Sequence, residues 1–348
     1  MQTSNNSEIQ SEEIYDDEVP DATTHSNTST VPVIPQLSVA LGLLFFVFGV
    51  TYIGISSSTA QLANNDVRVD TVVTQNADTA LSLASSFEDI QLQAKSAFVW
   101  DVARQRVLFN KNADEQLPLA SITKLMTALV TYELLDPKEK ISISQRSLQA
   151  EGDSGFSDGE EFTIQNLIDL TLISSSNDGA TALGARVGNT IDSELDPELV
   201  FVKAMNVKAD ELGLTKTYFK NSSGLDIAQT HAGAYGSARD IALLMEYLIT
   251  RITDAVALTN LGVTTIENEA GAYHIAKNTN ESVQAMTGLI ASKTGYTELS
   301  GGNLVVAVNV GLNRPIVIVV LGSTQEGRFS DTLELIRRTQ TYVGQDNN

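Results

Sequence analysis

The chain has 348 residues, 42% of them hydrophobic and 19% charged, enough apolar mass for a sizeable core, so wholesale disorder is excluded. With 22 basic against 43 acidic residues the formal net charge is −21, which opposes binding to nucleic acid backbones, and no nucleic acid partner is expected. The absence of cysteine, with His25, His231 and His274 the only histidines, excludes disulfides, a thiolate nucleophile and a Cys- or His-rich metal centre. Neither a metal nor another cofactor is expected, and the chemistry falls to hydroxyls, carboxylates, lysines and backbone groups.

Residues 1–34 carry Glu8, Glu12, Glu13, Asp16, Asp17, Glu18 and Asp21 but no lysine or arginine, in a stretch almost free of large apolar side chains. Such a segment buries too little surface to offset its ordering entropy, and a disordered acidic tail is expected. Leu37 to Ile55 then runs without a charge. At about 1.5 Å per residue it spans about 28 Å, close to a bilayer core of about 30 Å. A single transmembrane helix within 35–56, with the lipid bilayer as its partner, follows. The long acidic leader argues against a cleaved signal peptide, although Ser58-Thr59-Ala60 has the texture of a weak cleavage site. Charge does not orient the span, because only Arg68 lies near it. Residues 57–93, rich in small and polar types, read as a tether with one helical turn near Asp78 to Phe87.

From Ala94 the texture is globular, and 94–348 is assigned as one catalytic domain. Ser96 to Trp100 and Arg106 to Phe109 predict a β-hairpin. Helical spacing follows in Ile122, Leu125, Met126 and Leu129, and again over Ile164 to Ile173, Ala180 to Val187, Pro197 to Leu212 and Ala238 to Leu248. Three β-rich runs come next, 289–294, 303–310 and 315–322, the last two joined by a turn at 311–314. An amphipathic helix is predicted over Ser330 to Val343. The short connections favour antiparallel pairing, so the fold class is α/β or α+β. Its core is a sheet of about five strands built from both ends of the domain, flanked by helices, with an all-helical insertion.

Three short motifs carry the chemistry. Ser121-Ile122-Thr123-Lys124 opens the first apolar helix, where residues three apart share a face and Lys124 can reach the Ser121 hydroxyl. A lysine buried among Leu, Met and Ile loses solvation and becomes a base for an otherwise poor nucleophile. The same residues also suit a serine N-cap and a solvated lysine. Ser175-Ser176-Asn177 falls on an inter-helix loop, where a hydroxyl can relay a proton and an amide can hold a substrate amide; equally, these are the residue types of a helix cap. Lys293-Thr294-Gly295 ends a predicted strand. There a cation and a hydroxyl suit an anionic substrate terminus, and glycine admits a substrate backbone, while a turn with an exposed lysine is the alternative. The conjunction in this chain order, helix start, inter-helix loop and strand edge, is far more specific than any one motif.

These motifs, with Lys111 to Leu129, Ser174 to Gly184, Glu211 to Asp226, Asn278 to Asn280 and Ser292 to Thr297, resemble the low-molecular-weight penicillin-binding proteins, specifically the D-alanyl-D-alanine carboxypeptidases of peptidase family S11. The resemblance covers Ala94 to Val343 and implies a β-lactamase/transpeptidase-like fold. It also implies peptidoglycan stem peptides ending in D-Ala-D-Ala as substrate and β-lactams as covalent inhibitors. By the same resemblance Ser121 is the acylated nucleophile, Lys124 its general base, and Ser175 and Asn177 the second side of the cleft. Lys293 and Thr294 bind the terminal carboxylate, Gly295 and Tyr296 extend that edge, and Arg328 assists. The backbone N–H groups of Ser121 and Tyr296 would form the oxyanion hole. Family members commonly have a C-terminal β-domain with an anchor helix, a role the N-terminal span is expected to take here. Tyr296 stands where some members have histidine, which leaves D,D-carboxypeptidase and D,D-endopeptidase open.

Two further readings compete. A class A β-lactamase would need a deacylating glutamate, and Glu211 in Glu211-Leu212-Gly213-Leu214-Thr215 lacks the asparagine of that context. A catalytically silent wall-binding module would give no reason for Ser121, Lys124, Ser175, Asn177 and Lys293 together. Because the cell wall lies outside the membrane, an extracytoplasmic catalytic domain is expected. The acidic loop from Glu151 to Glu161 is open to two readings, a border of the cleft or, the favoured one, a solvated charge run.

Overall fold

The computed structural model describes residues 86–152 and 154–346. The expected tail, the apolar span and the tether up to residue 85 lie outside the described residues, among which no helix is long and apolar enough to cross a membrane. The chain divides into two units, Met1–Leu62 and Ala63–Asn348, and every described residue belongs to the second.

In chain order, β1 (Ser96–Asp101) and β2 (Arg106–Lys111) form the expected hairpin. A two-residue β3 (Leu117–Pro118) leads into a 3₁₀ turn over Ala120–Thr123 and helix α1 (Lys124–Leu134). The pair β4 (Lys140–Ser142) and β5 (Glu161–Thr163) brackets the acidic loop. Helices α2 (Ile164–Ile173), α3 (Asn177–Ile191) and α4 (Pro197–Glu211) follow. Next come β6 (Tyr218–Phe219), β7 (Ala234–Gly236), α5 (Ala238–Arg251) and a hairpin of β8 (Val263–Glu267) with β9 (Tyr273–Lys277). The domain closes with β10 (Leu289–Thr297), β11 (Gly301–Asn309), β12 (Pro315–Ser323) and α6 (Gly327–Asp346).

The five long strands make one antiparallel sheet in the order β10-β11-β12-β1-β2, so the two ends of the domain meet between β12 and β1. Their near-continuous apolar runs reflect burial on both faces. One face sets Val99, Val306 and Ile318 against Leu335, Ile336 and Tyr342 of α6. The other joins Phe98, Val305, Val317 and Val319 to the helical core of Leu125, Leu129, Phe162, Phe201 and Leu244. The architecture is therefore the expected five-stranded sheet with a helical insertion.

Side-chain caps fix where the helices start. Thr163, Ser176, Asp196 and Ser237 accept the backbone N–H of Asn166, Gly179, Leu199 and Asp240, opening α2, α3, α4 and α5. Thr324 does the same for Gly327, so α6 begins three residues before the predicted Ser330. The Ser176 cap likewise starts α3 at Asn177, ahead of the predicted Ala180. The packed chain also reaches back into the stretch read as tether. Phe87 stacks on Phe109 at 5.4 Å, and Asp331 on α6 accepts the backbone N–H of Gln93 and Ala94.

Candidate active site

Ser121 sits in the 3₁₀ turn before α1 and makes no capping bond, so the N-cap alternative is not realised. The turn is held from three sides. Asn303, fully buried on β11, donates to the carbonyls of Pro118 and Leu119 and accepts from the Gly322 N–H. Gly224 packs against the Ala120 carbonyl so closely that no Cβ fits there. Gly295 on β10 stands where a Cβ would come within 2.7 Å of the Leu119 carbonyl and 3.2 Å of the Ser121 nitrogen. Ala120 itself has φ +47°, a left-handed conformation uncommon for a residue with a side chain. Such strain persists only where the surroundings over-determine it.

Lys124, the first residue of α1, is 0% exposed. Its Nζ lies 2.8 Å from Ser121 Oγ, 2.7 Å from Asn177 Oδ1 and 2.9 Å from the Ser223 carbonyl. Burial, with the nearby charge of Lys293 second, holds its pKa well below the usual lysine range. An ammonium has three N–H groups for these three acceptors, whereas a neutral amine has two and a lone pair. The Asn177 and Ser223 oxygens can only accept, so in the neutral state they take both N–H groups. The lone pair then faces the Ser121 hydroxyl, the arrangement a general base needs.

Asn177 is fixed in this orientation because its Nδ2 donates to the Glu151 carbonyl at 2.6 Å. The acidic loop is thus not simply a solvated charge run. It borders the site through backbone, with Ser154 Oγ 2.6 Å from Ser176 Oγ, and charge counting cannot register carbonyls. Within the Ser-Ser-Asn triplet both sequence readings apply to different residues: Ser176 caps α3, while Ser175, at φ +62°, turns its Oγ to accept from Lys293 Nζ at 2.9 Å.

Lys293 lies inside β10, an edge strand, and is only 2% exposed, so the exposed-turn alternative fails. Burial, followed by the charge of Arg328, brings its pKa down to about 7. Besides Ser175 it donates to the Thr294 carbonyl at 3.0 Å. Thr294 Oγ1 meets Thr279 Oγ1 at 2.5 Å. Arg328, in the first turn of α6, donates to the Gly295 carbonyl at 3.0 Å. The Tyr296 side chain is 39% exposed, and its hydroxyl donates to Glu298 and not to the lysine cluster. Beside Ser175 and Asn177 opens a polar cleft of about 340 Å³, walled by Ser154, His274 and Lys277.

Sequence reasoning missed the Ser223 and Glu151 carbonyls, Asn303 and Thr279 as parts of this assembly. Glycine at 224, with φ +83°, is the one local signal that the Ser223 loop turns sharply against another backbone. Glu211, the residue a β-lactamase reading would need, instead pairs with Lys208 at 2.6 Å on α4.

Residues 82–325 match the family model described as D-alanyl-D-alanine carboxypeptidase. The chain is 31% identical over 250 residues to the D-alanyl-D-alanine carboxypeptidase DacF of Bacillus subtilis, covering 70% of this chain and 61% of that one. It is 33% identical over 229 residues to a D-alanyl-D-alanine endopeptidase of Haemophilus influenzae, covering 65% and 72%. Among solved structures it resembles penicillin-binding protein D2 of Listeria monocytogenes in its ampicillin-bound form. That match has TM-score 0.61 and 28% identity and covers 72% of this chain and 98% of the other. The chain thus spans about three fifths of the length of the Bacillus carboxypeptidase.

Proposed function

Because the chain belongs to the D-alanyl-D-alanine carboxypeptidase family of serine peptidases, we propose that it removes the terminal D-alanine from peptidoglycan stem peptides through an acyl-enzyme on Ser121. Neutral Lys124 takes the hydroxyl proton as Ser121 Oγ attacks the penultimate D-alanine carbonyl. The N–H groups of Ser121 and Tyr296 receive the developing oxyanion, where preorganised donors act most strongly. Ser175, bonded to Lys293, passes a proton to the departing amine. Lys293 and Thr294 hold the substrate carboxylate, with the Arg328 charge behind the strand. The proton taken by Lys124 replaces the one Ser175 has given to the amine, which restores the neutral lysine. Water then hydrolyses the ester, giving its proton to Lys124, from which the departing Ser121 oxygen regains one. The observation that carries this reading is the Lys124 Nζ environment: fully buried, with two acceptor-only partners that leave its lone pair to Ser121.

Labelled penicillin added to the full-length protein is expected to leave a covalent adduct on the Ser121 peptide, with none in Ser121→Ala. A diacyl-D-Ala-D-Ala peptide is expected to lose one D-alanine. A wild-type protein with neither adduct nor release would refute the reading. The Haemophilus relative, of which this chain covers the larger share, favours D,D-endopeptidase cleavage of crosslinked peptides as a second activity of the same site. Crosslinked dimers offered beside pentapeptide monomers separate the two. We also propose that residues 37–55 anchor the protein with the catalytic domain outside the membrane. Protease added to intact cells should then remove the domain, and full protection would contradict this orientation.

A further inference from the structure

Glu198 lies in the first turn of α4 and outside the cleft, yet its carboxylate is turned inward onto the loop that serves Lys124. Its Oε1 accepts the Ser222 backbone N–H at 2.7 Å and its Oε2 the Ser222 hydroxyl at 3.2 Å. It does not cap its own helix, because Asp196 accepts the Leu199 N–H. Nor does it hold the nearest cation: Arg146 pairs with Asp196 at 2.6 Å. Asp196 and Arg146 are the charged groups near it; burial, partly countered by the Ser222 bonds, pushes its pKa up. A half-buried carboxylate that serves neither a cap nor an ion pair is costly, so what it holds becomes the relevant question.

Ser222 is clamped at both of its peptide groups. Glu198 takes its N–H, and its carbonyl accepts from Thr127 Oγ1 of α1 at 2.5 Å. The next carbonyl in the chain, Ser223, is the one that accepts from Lys124 Nζ. Room for this junction comes from Gly184 on α3, where a Cβ would lie 3.1 Å from Ser222 Cβ, 3.2 Å from Glu198 Oε2 and 2.8 Å from a Phe201 ring carbon. Glycine 184 and Glu198 therefore meet around one serine whose neighbour orients the base.

We propose that Glu198 is a positioning residue for acylation: by holding Ser222 it aims the Ser223 carbonyl at Lys124, which fixes the amine's lone pair on Ser121. The proposal rests on the Ser121–Lys124 reading of the site. Without the clamp, one of the two acceptor-only partners of Lys124 drifts away and the lone pair is no longer confined to the hydroxyl. The ammonium form loses more than the neutral amine, since hydrogen bonds to a charged group are the stronger ones. Lys124 then surrenders its proton at lower pH.

The test is the rate of penicillin acylation of the full-length protein as a function of pH, read by mass spectrometry, for wild type and for Glu198→Ala, Glu198→Gln and Glu198→Asp. For Ala the plateau rate is expected to fall about tenfold, the equivalent of one lost hydrogen bond, with the acid limb displaced to lower pH. Gln keeps an acceptor for the Ser222 N–H and is expected to restore both the plateau and the limb. An Ala variant with wild-type plateau and limb overturns the proposal. So does a slower Ala variant whose limb stays in place, or a Gln variant as impaired as Ala. If Ala does not fold, Asp, shorter by one methylene and still charged, reads the same two quantities, and a wild-type profile in Asp overturns it. A wild-type protein that takes no penicillin refutes the Ser121–Lys124 reading itself and is seen separately.

Discussion

Lys293 is the group assigned to the substrate carboxylate, and its pKa stands at about 7. Only its ammonium form makes a charge-assisted bond to that carboxylate. The charged fraction of such a group falls from about one half at pH 7 to about one hundredth at pH 9. Affinity for a peptide ending in a free carboxylate should therefore weaken by up to about tenfold per pH unit above 7. The loss levels off once it reaches what a charge-assisted bond contributes, on the order of ten- to a hundredfold. Steady-state KM for a D-Ala-D-Ala peptide, followed from about pH 6 to 9 beside the same peptide carrying a C-terminal amide, isolates this effect. KM should climb above neutrality for the acid and stay level for the amide. After burial, the charge of Arg328 is the second cause of the depressed pKa. Arg328→Gln removes the charge and keeps a donor for the Gly295 carbonyl, so the break in KM should move to higher pH. Parallel profiles for acid and amide peptides, or an Arg328→Gln break that stays put or moves down, would refute the assignment of Lys293 to the carboxylate.

Three other outcomes follow from the same geometry. Burial raises Asp169 to about 7, with Gln165 opposing and the charge of Asp254 adding to it. A carboxyl raised in the folded state costs nothing below about pH 4, where both states are protonated, and the cost grows until pH passes about 7; Asp169→Asn should therefore stabilise the domain by on the order of 4 kcal/mol at pH 8 and hardly at all at pH 4 in urea unfolding. Gly295→Ala should cut penicillin acylation at least about a hundredfold while the protein stays folded by circular dichroism, since the new Cβ pushes into the Ser121 turn and a small misplacement of a reacting atom has that scale of effect; near-normal labelling would contradict the packing of β10 on that turn. Asn303→Leu strands two carbonyls and one N–H, each costing about 1–3 kcal/mol, and should lower thermal stability measurably even where Ser121 still reacts.

The sheet was legible because its strands are β-branched runs separated by turn residues, a signal that survives burial on both faces. The three motifs were legible because the proposed nucleophile, base and carboxylate binder are side chains. What stayed hidden is mostly backbone. The Ser223 and Glu151 carbonyls complete the surroundings of Lys124 and Asn177, and no residue type announces a carbonyl. The β8–β9 hairpin escaped because its strands, Val-Thr-Thr-Ile-Glu and Tyr-His-Ile-Ala-Lys, show no regular apolar alternation and each buries a single side chain, Ile266 and Ala276. Helix ends were misplaced where a cap sits outside the apolar stripe, as with Thr324 and Ser176. For the acidic loop, charge pattern favours a solvated run over a cleft border, and the structure shows the border, made through the Glu151 carbonyl and Ser154.

The cleft contains two serine–lysine pairs of nearly equal geometry, Lys124 with Ser121 at 2.8 Å and Lys293 with Ser175 at 2.9 Å, and both lysines are buried. Distance therefore does not favour Ser121 over Ser175 as the proposed nucleophile; the surroundings do. Lys293 is depressed by burial and the Arg328 charge, and Lys124 by burial and the charge of Lys293 itself, so the cations form a graded row in which each lowers the next. Such a row holds Lys293 down to about 7 and Lys124 well below the usual lysine range, as expected when environments perturb paired groups. Ser121 also stands in a turn braced by Asn303, Gly224 and Gly295, with a strand edge beside it. Ser175 instead accepts from Lys293 at 2.9 Å, which suits the proton-passing role proposed for it.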